Sequence, residues 1–153
     1  MKFTFKKSER LNSKKVIEQI FDRKGRETNR SVFLYPFRVS YVVGDLGVAG
    51  VPVEGLGDKG SDDSTPKLLN PITPKPQIPQ ILISVSKRFF KHAVDRNLIK
   101  RRTREAYRLN KHLLLQKLDS QIPEYIAFVY IAKTIEDYAK IEKSMKAIFK
   151  KMV

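Results

Sequence analysis

The sequence predicts a single α+β domain in which helices pack on a β-sheet as a two-layer α/β sandwich. Segments with a helical period and segments rich in β-branched and aromatic residues follow one another as helix, strand, strand, helix, strand, helix. A chain of 153 residues suits one domain with a real core. Segment 44–79 holds six of the seven glycines and six of the eight prolines. It is therefore predicted to be a flexible insertion that interrupts one domain spanning 1–153.

The first predicted elements are a short helix and a strand. The helix runs from Lys14 to Phe21 with Asn12 or Ser13 as its cap, and its apolar residues share one face. Segment 32–43 alternates with a period of two and is predicted to be one strand, with Pro36 indicating an edge or a bulge. One face of that strand is expected to carry Phe33, Tyr35, Phe37, Val39 and Tyr41.

Three further elements follow the insertion, besides the basic helix described next. Segment 80–86 is a nearly continuous apolar run and is predicted to be a central strand. Segment 125–131 is predicted to be a strand that is buried on both faces. A closing helix, capped by Thr134 or Asp137, is expected to pack through Tyr138, Ile141, Met145 and Ile148.

A basic helix after Ala93 is the strongest functional signal. Its apolar side is predicted to hold Val94, Leu98, Ala106, Leu109 and Leu113, and its cationic side to hold Lys100, Arg101, Arg104, Arg108 and Lys111. Cations aligned in this way displace condensed counterions from a nucleic acid, which makes such a polyanion the favoured partner. The alternative is an ordinary solvated face, but such faces mix charges of both signs.

The composition favours the same class of partner. A net charge of +15 and a pI near 10.1 favour an anionic partner, nucleic acid before a membrane surface. No stretch approaches the ~20 apolar residues of a membrane span, so a soluble cytoplasmic protein is expected. The chain has no cysteine, which excludes disulfides and Cys-based zinc sites. His92 and Asp95 are better read as an ion pair than as metal ligands, so no catalytic residue and no metal site is predicted.

Two motifs then resemble the bacterial ribonuclease P protein subunit. They are SVSKR at 84–88 and RNLIKRRTREAYR at 96–108, and the similarity extends to the amino terminus through Arg10-Leu11 and the segment 29–35. The resemblance implies a ribosomal protein S5 domain 2-like sandwich with a left-handed βαβ crossover through the basic helix, against the usual handedness.

The same resemblance implies a function. Family members bind a catalytic RNA, which carries the active site of this endoribonuclease, and the complex removes the 5′ leader of precursor tRNA with Mg²⁺ bound mainly by the RNA. No obligate protein partner is implied. The expected RNA-binding residues are Arg96, Asn97, Lys100, Arg101, Arg104 and Arg108, and the expected leader cleft is formed by Phe21, Tyr35 and Ile17.

Two residues depart from the family pattern. Leu98 stands where arginine is common, and Ile17 stands where an aromatic residue is usual, so one phosphate contact and one stacking surface are absent. A ribosomal-type protein or an RNA chaperone without enzymatic activity remains the alternative function. The charge and the basic helix suit it equally, whereas the motifs and the aromatic cleft favour the ribonuclease P reading.

Overall fold

The computed structural model describes residues 4–22, 29–43, 78–116 and 122–152. A short 3₁₀ helix, Lys7–Glu9, precedes three α-helices and four strands. In chain order these are α1 (Lys14–Phe21), β1 (Asn29–Leu34), β2 (Phe37–Val43), β3 (Gln80–Val85), α2 (Ala93–Leu115), β4 (Pro123–Tyr130) and α3 (Tyr138–Lys151). The predicted insertion lies outside the described residues except for positions 78 and 79, so its flexibility and the single-domain boundary 1–153 stay predictions.

The four strands form one sheet in the order β1-β2-β4-β3. β1, β2 and β4 are antiparallel neighbours, while β3 and β4 are parallel and are joined through α2. This arrangement confirms the mixed α+β class and the bounds of α1, and it places β4, the strand predicted near 125–131, inside the sheet. The left-handed crossover and the S5-like details stay predictions.

The main core lies between one face of the sheet and the helices α2 and α3. Its largest buried side chains are aromatic or aliphatic, and they include Phe37, Phe128, Tyr130, Tyr107 and Ile148. The α3 residues Ile141 and Met145 are also buried, as the sequence predicts. α1 packs on the other face, where its Ile20 forms a buried cluster with Leu11 and with Ala127 of β4. A partial third layer is thereby added to the predicted two.

The prediction of one strand over 32–43 is wrong, because a turn at Tyr35-Pro36 divides it into the hairpin β1–β2. The Tyr35-Pro36 peptide bond is cis. Leu34 pairs with Phe37 and Phe33 pairs with Arg38. Since directly paired residues share a face of the sheet, Phe37 shares its face with Leu34 and not with Phe33. Phe33 therefore points away from the core.

The prediction that β3 is central is also wrong, because β3 lies at the edge of the sheet. Its apolar run has a different cause. Ile81 and Val85 belong to the main core, whereas Leu82 packs against the cluster around α1. The amino-terminal segment also runs beside this edge, where the Leu11 N–H donates to the Ile81 carbonyl over 2.9 Å. Both faces of β3 and part of its outer edge are thereby covered.

The packing face of α2 differs from the predicted one. Val94 is 77 % exposed and Leu98 37 % exposed, while Ile99, Thr103 and Tyr107 are fully buried. Thr103 is tolerated there because its hydroxyl donates to the Ile99 carbonyl over 2.8 Å. A buried polar side chain that satisfies its own hydrogen bond within the helix costs little. The hydrophobicity pattern could not reveal this face.

Candidate nucleic-acid interface

The outward face of α2 carries four polar residues at successive spacings of four, three and four. They are Asn97, Arg101, Arg104 and Arg108, and such spacings keep residues on one side of a helix. Asn97 and Arg101 are exposed, whereas Arg104 and Arg108 are half-buried. Lys100 is half-buried at the flank of this face. The structure therefore brings five of the six predicted RNA-binding residues to one surface, which we call the basic face.

Arg96, the sixth, is directed toward the backbone of the loop that precedes α2. Its Nη1 donates to the carbonyls of Phe90 and Lys91 over 2.8 and 2.7 Å. These bonds tie the loop after β3 to the first turn of α2. Arg96 thus fixes the start of the basic helix, and its contribution to RNA binding stays a prediction.

Arg104 is held in place by an aromatic ring from the amino-terminal segment. Its guanidinium carbon lies 5.8 Å from the centre of the Phe5 ring, and that of Arg10 lies 5.9 Å from the same centre. Phe5 in turn contacts Tyr107 edge-on, with 6.0 Å between ring centres. A cation placed over an aromatic face is stabilised electrostatically. Arg10 thereby extends the basic face beyond the helix, which the sequence pattern did not indicate.

Arg108 is paired with an acidic neighbour on the same helix. Its Nε donates to Glu105 Oε2 over 2.9 Å, and its Nη2 donates to Oε1 of the same carboxylate. The hydrogen bond to Arg108 lowers the pKa of Glu105, and the Glu105 carboxylate raises the pKa of Arg108. Part of the positive charge at this end of the basic face is therefore already neutralised.

Lys111 does not belong to the basic face, which corrects the predicted stripe. Its Nζ lies 2.9 and 3.0 Å from the two carboxylate oxygens of Glu9 and 2.6 Å from the carbonyl of Thr4. Glu9 is 1 % exposed and Lys111 is 9 % exposed. This pair fastens the amino-terminal segment to α2, because each buried charge needs the other.

A second surface lies on the sheet face that α1 covers only in part. Every second residue of each strand points to this face, and residues paired across the strands form rows on it. α1 covers the rows that contain Val42, Leu82 and Ala127. The next row toward the Tyr35-Pro36 turn runs across all four strands and contains Phe33, Arg38, Val129 and Ser84. Phe33 and Arg38 are exposed in this row. We call the uncovered part of this face the open sheet face. Tyr35 lies in the turn that follows β1, and Phe21 is the last residue of α1.

Tyr35 is anchored by Glu136. The Tyr35 hydroxyl donates to Glu136 Oε1 over 2.6 Å, and the Lys140 Nζ donates to Oε2 of the same carboxylate over 2.9 Å. The Thr134 hydroxyl also donates to Oε1, over 3.1 Å. These hydrogen bonds, led by that from Tyr35, lower the pKa of Glu136 to about 2. The ring of Tyr35 is 53 % exposed, so its hydroxyl is held while its surface remains accessible.

Phe21 lies at the end of α1. The side-chain amide of Asn29, at the start of β1, donates to the Gln19 carbonyl of α1 over 2.8 Å. Asn29 and Tyr35 are separated by six residues of nearly extended chain, or roughly 20 Å. Phe21 is 45 % exposed, whereas Ile17 is half-buried and packs against the α1 cluster. Phe21 and Tyr35 are therefore both accessible, and their grouping with Ile17 into one leader cleft stays a prediction.

Comparisons with known proteins agree with this architecture. The sequence profile of the family described as Ribonuclease P matches residues 5–153. The chain belongs to the ribonuclease P protein family. It is 32 % identical over 145 residues to a protein named Ribonuclease P protein component from Porphyromonas gingivalis, covering 94 % of this chain and 82 % of that protein.

Two further relatives of the same name match over shorter regions. One, from another strain of P. gingivalis, is 46 % identical over 67 residues, covering 43 % of this chain and 49 % of the relative. The other, from Chlorobaculum tepidum, is 42 % identical over 71 residues, covering 41 % of this chain and 45 % of the relative. Membership of the ribonuclease P protein family confirms the resemblance carried by the motifs at 84–88 and 96–108.

For this ribonuclease P family protein, sequence reasoning missed Phe33, Arg38 and Arg10 as candidate contact residues. The sequence pattern predicts that Phe33 shares a face with Phe37 and Val39, and only the hairpin register turns Phe33 to the opposite face. The Tyr-Pro pair between two β-rich runs was the available signal for a turn. Arg10 and Arg104 meet at Phe5, and no local spacing predicts that contact.

Within 4–22, 29–43, 78–116 and 122–152, no three His, Asp or Glu side chains are grouped so that they could hold a metal ion. None of the helices in those ranges combines the length and apolar character that a membrane-spanning helix requires.

Proposed function

We propose that this chain is the RNA-binding protein subunit of ribonuclease P, the endoribonuclease complex that processes the 5′ end of tRNA. In this proposal the basic face of α2 binds the catalytic RNA. The RNA contains the active site and holds most of the Mg²⁺, which supplies the charge stabilisation and water activation for hydrolysis. The contribution of this chain in the proposal is to bind the RNA and to position it.

The one-sided placement of charge on α2 is the observation that carries this proposal. Asn97, Arg101 and Arg104 project opposite to the buried residues Ile99 and Thr103. They can therefore contact phosphates without disturbing the core. A rigid helix that presents several cations along one line matches the regular charge of an RNA backbone. Family membership makes a ribosomal-type protein or an RNA chaperone the less favoured reading.

The open sheet face is the proposed site for the single-stranded 5′ leader of precursor tRNA. Exposed aromatic rings bind successive bases by stacking, and nearby cations bind the backbone between them. Phe21 and Tyr35 supply exposed rings in this proposal. Because the basic face and the open sheet face lie on different sides of the sheet, one chain can contact both RNAs at once.

Reconstitution tests the proposed function. The protein alone is expected to leave precursor tRNA intact, whereas the protein with the catalytic RNA of its own organism is expected to release the 5′ leader at low Mg²⁺ concentration. Leader release is measured on end-labelled precursor tRNA. Cleavage by RNA-free protein, or failure of the wild-type protein to stimulate the catalytic RNA at low Mg²⁺, would contradict the proposal.

Tyr35→Ala is expected to weaken leader binding without weakening tRNA binding. The holoenzyme should lose about 1 to 3 kcal/mol of affinity for precursor tRNA, the range for one stacked base, and almost none for mature tRNA. Tyr35→Phe should retain most of the affinity, because stacking needs the ring and Glu136 keeps Lys140 and Thr134 as partners. Binding is measured with both tRNAs.

Phe21→Ala provides the companion measurement. Phe21 is 45 % exposed while its neighbour Ile20 is 4 % exposed, so its truncation disturbs packing less than a fully buried ring would. Thermal melts of all variants must accompany the binding data. Equal losses for precursor and mature tRNA in a folded Tyr35→Ala variant would refute the leader assignment.

A further inference from the structure

Phe33 is an aromatic side chain that the fold leaves in solvent. It is 67 % exposed, compared with 53 % for Tyr35 and 45 % for Phe21. Phe33 lies on β1, an outer strand of the sheet, and its ring points to the face opposite the main core. A phenyl ring in this position contributes little to the core. Its exposure on the uncovered face of the sheet points to binding.

Arg38 stands directly beside Phe33. The two residues are paired across β1 and β2, and side chains of such a pair have their Cβ atoms about 5 Å apart on the same face. Arg38 is exposed, and no hydrogen bond or ion pair within the described part of the chain engages it. Its guanidinium is therefore available to an external anion.

The rest of this row carries smaller side chains. Arg38 pairs with Val129 of β4, and Val129 pairs with Ser84 of β3. Val129 and Ser84 have smaller side chains than Phe33 and Arg38. The height of the side chains above the sheet therefore decreases from the Phe33–Arg38 pair toward β3. A planar group that stacks on the Phe33 ring meets no large side chain from this row.

We propose that Phe33 and Arg38 form a nucleotide subsite on the open sheet face, in which one base stacks on Phe33 and an adjacent phosphate binds Arg38. This inference rests on the proposed function and deepens it, because it assigns the occupant as the single-stranded leader of precursor tRNA. Stacking accepts any base, so the subsite contributes affinity without selecting a sequence.

The positive charge of the chain favours RNA over a second copy of this chain as the binding partner at the Phe33–Arg38 subsite. An exposed outer strand with an apolar side chain can also pair with another strand. Two copies, however, would each bring a net charge of +15 to the contact, and like charges oppose association. A phosphate-bearing strand satisfies both Arg38 and Phe33.

Single substitutions in the reconstituted holoenzyme test the subsite. Phe33→Leu keeps an apolar side chain of similar size but removes the ring, and it is expected to weaken precursor tRNA binding about 5- to 150-fold. Arg38→Gln should lower the slope of log affinity against log salt by about one. Arg30→Gln is the matched control, since Arg30 is also exposed but pairs with the core residue Tyr41 and so lies on the other face. It should leave leader binding unchanged.

An abasic scan of the leader locates the stacked base. One abasic position should weaken binding to the wild-type holoenzyme but cause no further loss with Phe33→Leu, because the same stacking contact is already missing. If the wild-type holoenzyme cleaves precursor tRNA and Phe33→Leu binds every leader normally, the subsite is refuted while the proposed function stands. If the wild-type protein fails to stimulate cleavage, the proposed function itself fails. Unchanged leader affinity combined with a dimer that Phe33→Leu dissociates in sedimentation would assign this edge to self-association and overturn the inference.

Discussion

Lys111→Ala is expected to lower the free energy of unfolding by about 3 to 5 kcal/mol, the cost of removing one partner from a buried ion pair. The substitution would leave the Glu9 carboxylate, which is 1 % exposed, without its nearest cation. It would also remove the donor to the Thr4 carbonyl. Because both contacts join the amino-terminal segment to α2, that segment should detach before the rest of the domain unfolds. Urea denaturation followed by circular dichroism measures the loss.

A double substitution controls for the charge itself. Glu9→Gln with Lys111→Met removes both charges and should recover much of the stability, since an uncharged pair carries no uncompensated buried charge. Arg101→Ala removes an exposed cation from the same helix and should change the free energy of unfolding by less than about 0.5 kcal/mol. A loss below about 1 kcal/mol for Lys111→Ala would show that Lys111 is a surface cation after all.

Replacing both Arg101 and Arg104 with glutamine is expected to weaken binding of the catalytic RNA by about 100-fold or more. A hydrogen bond to a charged group contributes about 1.5 to 3 kcal/mol, so losing two corresponds to at least ~3 kcal/mol. The slope of log affinity against log salt should fall by about two, one for each lost phosphate contact. Binding is measured by filter retention across a salt series.

Charge removal elsewhere provides the matched control for this double variant. Lys143→Gln with Lys150→Gln removes the same charge from exposed positions of α3 and should change affinity much less. Arg104 also lies over Phe5, and a cation–π contact at such a site contributes about 0.5 to 1 kcal/mol to stability. Arg101→Gln alone avoids this contact. If both double variants lose affinity equally, general electrostatic attraction, and not the basic face, drives binding.

Local sequence patterns predicted those helices and strands whose structure depends on residues close together in the chain. The bounds of α1 and the start of α2 agree with the sequence prediction, because the beginning and the loss of an apolar period are local properties. The packing stripe of α3 and a strand near 125–131 were predicted for the same reason. Motifs at 84–88 and 96–108 also indicated the family, which the comparisons confirm.

Predictions failed where a contact that the local pattern does not show decides whether a side chain is buried or exposed. Lys111 looked like part of a cationic stripe, but Glu9, over one hundred residues earlier, buries it. Thr103 looked polar, but a hydrogen bond within its own helix makes it a core residue. Residue type alone does not distinguish these states.

The sequence by itself determined the basic character of the protein, its mixed α+β class, the span of its basic helix and its family. These follow from composition, periodicity and motif, which are properties of residues near one another in the chain. Tertiary structure alone decided which side of α2 faces outward, where β3 lies in the sheet and which aromatic rings reach solvent. The hairpin turn at Tyr35-Pro36 reverses the chain, so the register of β1 on β2 sends Phe33 outward beside Arg38 while Phe37 enters the core. Strand pairing sets that register, and it assigns a side chain to core or surface only when the partner strand is in place.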